Sequence, residues 1–131
     1  MNICLGPGRG RQGRVVPLLC ALIASCACRT ESPREIVLVA RGMTFALATS
    51  PDDANPTLHF RAGERVRLVL KNEAPGLLHD FEIPEWNVKL DQLRAGDTGE
   101  VVFMVPSGPG RLQYRCRPHS ELMHGSVEVT H

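Results

Sequence analysis

The sequence predicts an all-β domain, a two-sheet antiparallel Greek-key β-sandwich, in the part of the chain beyond residue 34. Three observations favour this class. No stretch of ten residues or more has helical periodicity there, short runs alternate apolar and polar residues, and glycine and proline turns separate the runs. About eight short strands of this kind are typical of two antiparallel sheets packed face to face.

The elements follow in order from these runs. Residues 41–42 (RG) separate the first two strands, residues 49–56 (TSPDDANP) form a loop, and residues 62–63 (AG) form the next turn. Residues 86–90 are either another short strand or a loop. The predicted strands are residues 35–40, 43–48, 57–61, 64–72, 78–83, 99–105, 111–116 and 125–130.

A leader precedes the predicted domain. Residues 9–14 (RGRQGR) are basic, and residues 15–27 (VVPLLCALIASCA) are apolar and end in small residues. This is the pattern of a secretory signal, and the apolar part is too short for a membrane-spanning helix. The mature domain is therefore expected to be periplasmic or otherwise extracytoplasmic.

The end of the leader leaves two processing routes open. Residues 23–26 (IASC) resemble a bacterial lipobox, which would make Cys26 a lipidated N-terminus and attach the protein to a membrane. Ordinary cleavage after Ala27 is the alternative. The expected boundaries are a signal peptide with a lipobox at residues 1–28, a polar tether at 29–34 and the folded domain at 35–131.

The charge balance gives no reason to expect a nucleic-acid partner. The net charge of +1 includes three leader arginines. Without residues 1–26 the chain has 12 Lys and Arg against 14 Asp and Glu, a net charge of −2. No basic stripe is present either, so binding to nucleic acid is not predicted.

Cys116 is the only cysteine beyond residue 28. An exported domain with one cysteine has no internal disulfide framework, so this thiol needs another role. A buried inert thiol is the plain alternative, and a metal ligand is the more specific one.

Three soft or borderline ligand types lie within eight residues, at Cys116, His119 and Met123. A thiolate and a thioether suit Cu(I), imidazole suits Cu(II), and two histidines with one cysteine and an axial methionine accept both states. His79 is placed to supply the second histidine. The pattern predicts one type 1 copper ion, and four protein ligands leave no open position for a substrate.

Strand parity supports this convergence. In residues 112–116 Cys116 shares the apolar face, and in residues 79–83 His79 shares the apolar face. Both side chains are therefore predicted to point into the sandwich from the end of a strand.

The outward parity of the same region predicts a solvated face. Asp80 and Glu82 are expected to lie there, His59 is expected to be a solvated strand histidine, and His124 is expected to be exposed. Arg115 and Arg117 flank Cys116 on exposed positions, from which they could steer an acidic partner.

The chain resembles the plastocyanin and azurin family of cupredoxins over residues 35–131. The resemblance lies in Cys116-x2-His119-x3-Met123-x-Gly125, with His79 upstream after an asparagine and a Pro-Gly turn. It implies that the four residues named above are the copper ligands and that His119 is a surface electron port. It also implies an apolar patch around that port, with these candidates: Leu77, Leu78, Pro118 and Leu122.

The sequence departs from the family pattern in two places. Asp80 stands where plastocyanins and azurins often have an asparagine that ties the two ligand loops together, and the spacing mixes plastocyanin-like and azurin-like intervals. Residues 79–91 (HDFEIPEWNVKLD) are also similar to the copper domain of cytochrome oxidase subunit II. That dinuclear centre needs two cysteines, and Cys116 alone is available.

The predicted function is single-electron transfer between a redox protein that donates and one that accepts, outside the cytoplasm. Copper storage or delivery is the main alternative, and an interaction protein that uses the sandwich as a scaffold is a third. Enzyme activity is not expected, because the chain is too short for a second copper domain and shows no separate catalytic constellation.

Overall fold

A computed structural model describes residues 31–108 and 110–131. The predicted signal peptide, the lipobox at Cys26 and the beginning of the tether lie outside these residues. The strands are β1 (Arg34–Arg41), β2 (Thr44–Leu47), β3 (Leu58–Arg61), β4 (Arg65–Asn72), β5 (His79–Ile83), β6 (Val88–Leu93), β7 (Thr98–Met104), β8 (Gly110–Arg115) and β9 (His124–Thr130). Short 3-10 helical turns lie at Pro84–Trp86 and Arg117–His119.

The strands form two sheets, in the orders β2-β1-β4-β7 and β3-β9-β8-β5-β6. The predicted two-sheet β-sandwich is confirmed. Two pairings, β1 with β4 and β3 with β9, are parallel, whereas the sequence led us to expect antiparallel pairs. Because the chain visits the second sheet at β3 before it returns, β4 lies beside β1 in the same direction.

The sequence left residues 86–90 as either a short strand or a loop, and the structure shows a strand from Val88 onward. A 3-10 turn ends at Trp86, Asn87 adopts a left-handed conformation with a φ of 52°, and β6 begins at Val88. Alternate residues Val88 and Leu90 are buried against the core, as period-two packing requires.

The core lies between the sheets and is closed by aromatic contacts near one end. Phe81 stacks on Tyr114 with ring centroids 5.5 Å apart, and Phe45 from the opposite sheet meets both rings. The core residues all fall between residues 36 and 129, and residues 31–131 form one compact unit. No helix among the described residues is long and apolar enough to cross a membrane.

Candidate metal centre

Three of the four predicted ligands meet at one end of the sandwich. His79 begins β5, and Cys116 directly follows β8 on the neighbouring strand. The Cys116 Sγ lies 3.7 Å from the His79 Nδ1 and 3.6 Å from the His119 Nδ1. The three ligand atoms all lie within 4.8 Å of one another.

These separations fit a shared metal ion. Metal–nitrogen bonds of about 2.0–2.1 Å and metal–sulfur bonds of about 2.3 Å, about 110–120° apart, set nitrogen and sulfur about 3.6–3.8 Å apart. The two measured distances to Cys116 fall in this range. The donor set of one thiol and two imidazoles is also the one that trigonal copper sites use.

Met123 is brought to the cluster by the loop that links Cys116 to β9. The Cys116 backbone N–H donates to the Met123 carbonyl over 2.9 Å, and the Met123 N–H donates to the His119 carbonyl over 2.8 Å. The His119 N–H in turn donates to the Cys116 carbonyl over 3.2 Å. The loop is therefore closed on itself, and the Met123 side chain is fully buried.

Burial differs within the cluster and affects its proton chemistry. His79 and Cys116 have no exposed surface, whereas His119 is partly exposed. Burial raises the pKa of the Cys116 thiol to about 11. Burial, with a smaller contribution from His119, lowers the pKa of His79. The metal-free site thus holds a protonated thiol and a neutral imidazole at pH 7, and binding a metal must displace the thiol proton.

The second ring nitrogen of His79, Nε2, is buried without a hydrogen-bond partner among the described residues. The Gly42 backbone opposes in part the lowering of the His79 pKa that burial causes. The β5–β6 ladder shifts register between His79 and Phe81, a β-bulge of the kind that re-aims a side chain at a site.

The predicted solvated face at Asp80 and Glu82 is wrong. Asp80 is fully buried and Glu82 nearly so. The Asp80 carboxylate accepts hydrogen bonds from the Arg117 backbone N–H over 2.7 Å and from the Arg117 Nε over 2.8 Å, and Glu82 accepts one from the Arg115 Nε over 2.7 Å. The two arginines cover carboxylates that parity alone placed in water, and Asp80 ties the two ligand loops together.

The loop before His79 is held by a residue that the sequence analysis used only as a landmark. The Asn72 side chain donates to the carbonyls of Leu77 and Leu93 over 2.8 and 2.9 Å, and it accepts the Ala74 N–H over 2.9 Å. An asparagine at the end of an apolar strand, before a Pro-Gly turn, is the signal that would have indicated this role.

The surroundings of the cluster match the predicted apolar patch in part. Leu78, Pro118 and Leu122 are exposed, and each adjoins a predicted ligand in sequence, while Leu77 is only partly exposed.

The two histidines that were predicted to lie outside the cluster do so. His59 is exposed 3.4 Å from Glu128, and His124 is exposed with its Nδ1 2.9 Å from the Ser120 carbonyl. Neither belongs to the cluster of His79, Cys116 and His119.

The sequence matches no protein-family model and no curated protein sequence. Among solved structures, auracyanin B is similar, with 23% identity and a TM-score of 0.61 over 77% of this chain and 92% of that one. The periplasmic domain of subunit II of cytochrome oxidase of Bradyrhizobium japonicum has 14% identity and a TM-score of 0.59 over 76% and 86%.

An enzyme is also among the similar structures. A Cu-containing nitrite reductase from Thermus scotoductus has 22% identity and a TM-score of 0.58 over 75% of this chain, but the chain spans only 28% of that protein. Together the likenesses establish the cupredoxin fold that the sequence predicted. The cluster of His79, Cys116 and His119, with the buried Met123 on the adjoining loop, fits a type 1 copper site.

Proposed function

We propose that this chain is an extracytoplasmic type 1 copper protein that transfers single electrons between a donor and an acceptor redox protein. One observation carries the proposal: His79, Cys116 and His119 present their ligand atoms within 4.8 Å of one another at one end of a cupredoxin fold. The buried Met123 is proposed as the axial ligand. Bound copper would supply a one-electron couple between Cu(I) and Cu(II).

The chain's own residues would keep the site nearly unchanged in the two oxidation states. Cys116 offers a soft sulfur and the two histidines offer nitrogen, so neither state requires a different set of ligands. His79 and Cys116 are fixed by the sheet, which resists rearrangement. Four protein ligands leave no place for a substrate, which supports a carrier and not an enzyme.

His119 is proposed as the point where electrons enter and leave. It is partly exposed, while the other three ligands are fully buried. Leu122, whose N–H donates to the His119 carbonyl, is 66% exposed, and Leu78, which precedes His79 in sequence, is 45% exposed. Exposed large apolar side chains around a buried site favour transient docking of a protein partner.

The membrane attachment is a separate part of the proposal. The leader pattern supports export, and the IASC run supports a diacylglyceryl group on Cys26. The mass of the chain recovered from exporting cells tests this: a lipid-modified chain that begins at Cys26 is expected. A chain of unmodified mass that begins after Ala27 would contradict it.

The electron-transfer role is tested against copper delivery by electrochemistry on residues 29–131, a segment that contains the whole core. A reversible one-electron wave and fast electron self-exchange between oxidised and reduced protein are expected. Rapid loss of copper to a metal-free acceptor protein, with an irreversible wave, would instead favour storage or delivery. Burial of His79 and Cys116 supports the first outcome, because a closed site exchanges metal slowly.

A further inference from the structure

The strands that carry His79 and Cys116 share very little backbone pairing. Among the described residues, the β5–β8 ladder consists of one residue pair, Glu82 opposite Arg115. On its other side, β8 pairs with β9 over every residue from Gly110 to Arg115. The joint on which the distance between the two buried ligands depends is therefore the weaker of the two.

Two ion pairs lie across this joint. Glu82 and Arg115 are directly opposite, and their side chains meet at 2.7 Å. Continuing the same register by two residues sets Asp80 opposite Arg117, and these side chains meet at 2.8 Å. Arg117 also lies 3.9 Å from Glu82, so the four groups form one connected cluster.

Asp80 takes the place of the next ladder acceptor. After Arg115 the chain leaves β8 and enters the 3-10 turn that carries His119. The Arg117 N–H, which a longer strand would give to a carbonyl of β5, donates instead to the Asp80 Oδ1 over 2.7 Å. Pro118 has no N–H to continue the pattern.

The burial of the two carboxylates makes the joint costly to open. The Asp80 and Glu82 side chains are 0% and 5% exposed, whereas the covering arginines are 43% and 47% exposed. A buried carboxylate is tolerated when it is paired, and separation from its partner leaves an uncompensated buried charge. The strands cannot move apart at this end without breaking both pairs.

We propose that Asp80, Glu82, Arg115 and Arg117 form a charged clasp across β5 and β8 that positions His79 against Cys116. The four are positioning residues, since none of them offers a ligand atom in the cluster. The purpose of the clasp rests on the proposed copper function, but its mechanical role is a property of the metal-free protein and is tested there.

Cys116 itself reports on the joint. It is fully buried and is the only cysteine of residues 29–131, so a thiol reagent such as DTNB labels the metal-free domain only when this end opens. Arg117→Gln and Arg115→Gln are each expected to raise the labelling rate about tenfold or more. Arg111→Gln is the matched control, because Arg111 pairs with Glu128 on the other side of the same strand. It is expected to label within about twofold of the wild-type rate.

Asp80→Asn keeps the proposal testable if an arginine variant fails to fold. The amide oxygen still accepts the Arg117 N–H, but the ion pair is lost, so a rate between wild type and Arg117→Gln is expected. The affinity for Zn(II), measured by chelator competition, is expected to fall about 10–100-fold in the clasp variants. The Zn(II) affinity of Arg111→Gln should equal that of wild type.

Two results would overturn the clasp: wild-type labelling rates in folded Arg115→Gln and Arg117→Gln, or equal acceleration in Arg111→Gln. Neither result requires copper. If the variants label as expected but the wild-type domain gives no coloured copper complex, the proposed function is contradicted and the clasp still stands.

Discussion

The two halves of the metal cluster are built in different ways. His79 and Cys116 lie at the ends of strands, are fully buried and are braced by ion pairs between neighbouring strands. His119 and Met123 lie on a loop held by four backbone hydrogen bonds among residues 116–123. Of these two, His119 remains partly exposed.

This difference would serve two requirements of the proposed electron carrier. The sheet half sets the geometry that must not change when the oxidation state changes, and the loop half brings one ligand to the surface. The loop is tied to the sheet by its backbone hydrogen bonds with Cys116, by the N–H of Arg117 that donates to Asp80, and by the return of the chain into β9 beside Tyr114. Perturbing the two halves separately should therefore give different signatures.

The largest expected change in the free energy of unfolding comes from titration of the buried Cys116 thiol in the sheet half. Burial raises the pKa of Cys116 from its ordinary value of 9.0 to about 11, so the folded metal-free protein favours the protonated thiol. Its contribution to stability is fully present below pH 9 and is lost as the pH rises through 11. A shift of this size corresponds to about 3 kcal/mol in the free energy of unfolding.

Urea denaturation of the metal-free domain between pH 8 and pH 11 measures this loss. Cys116→Ala is the control, because it keeps a small apolar side chain and removes the titrating group. Wild type should lose more stability across this range than the variant. Parallel curves for the two proteins would show that the Cys116 thiol is not held in the low-dielectric site described here.

A smaller effect is expected where the loop rejoins the sheet. Gly125 lies opposite Tyr114, and a Cβ at this position would overlap the Tyr114 ring. The ring cannot withdraw easily, because it stacks on Phe81 and its hydroxyl donates to the Pro56 carbonyl over 2.7 Å. Gly125→Ala is expected to lower the free energy of unfolding by about 1–3 kcal/mol. It should also shift the copper absorption band, since Tyr114 precedes Cys116 by two residues.

Gly110→Ala is the matched control for this substitution. Gly110 lies in β8 and pairs with β9, the strand that contains Gly125, and a Cβ at Gly110 would meet nothing within 4 Å. Its unfolding midpoint and copper band should stay close to those of wild type. Equal effects of the two substitutions would show that Gly125 is not a special contact between the loop and the sheet.

Strand parity is why much of this arrangement could be predicted from the sequence. Alternation in residues 79–83 and 112–116 was enough to place His79 and Cys116 inward, and a single cysteine among two histidines and a methionine was enough to suggest copper. The inward placement of both side chains is confirmed by their burial, because a strand fixes the direction of each side chain locally.

The same rule failed for Asp80 and Glu82, and the reason is not local. Their outward parity was right, but arginines 33 and 37 residues further along the chain cover them. One of the three hydrogen bonds of Asn72, to the Leu93 carbonyl 21 residues further along, likewise joins segments whose proximity depends on the folded topology. The parallel pairing of β1 with β4 also depends on a crossover that no short window of sequence reveals.

The most direct test of the central claim is the visible absorption spectrum of residues 29–131 mixed with Cu(II), beside a Cys116→Ser variant. The predicted result is an intense blue or green band that disappears in the variant, because the band requires a copper–thiolate bond. A colourless wild-type protein with weak, easily displaced copper would contradict the account.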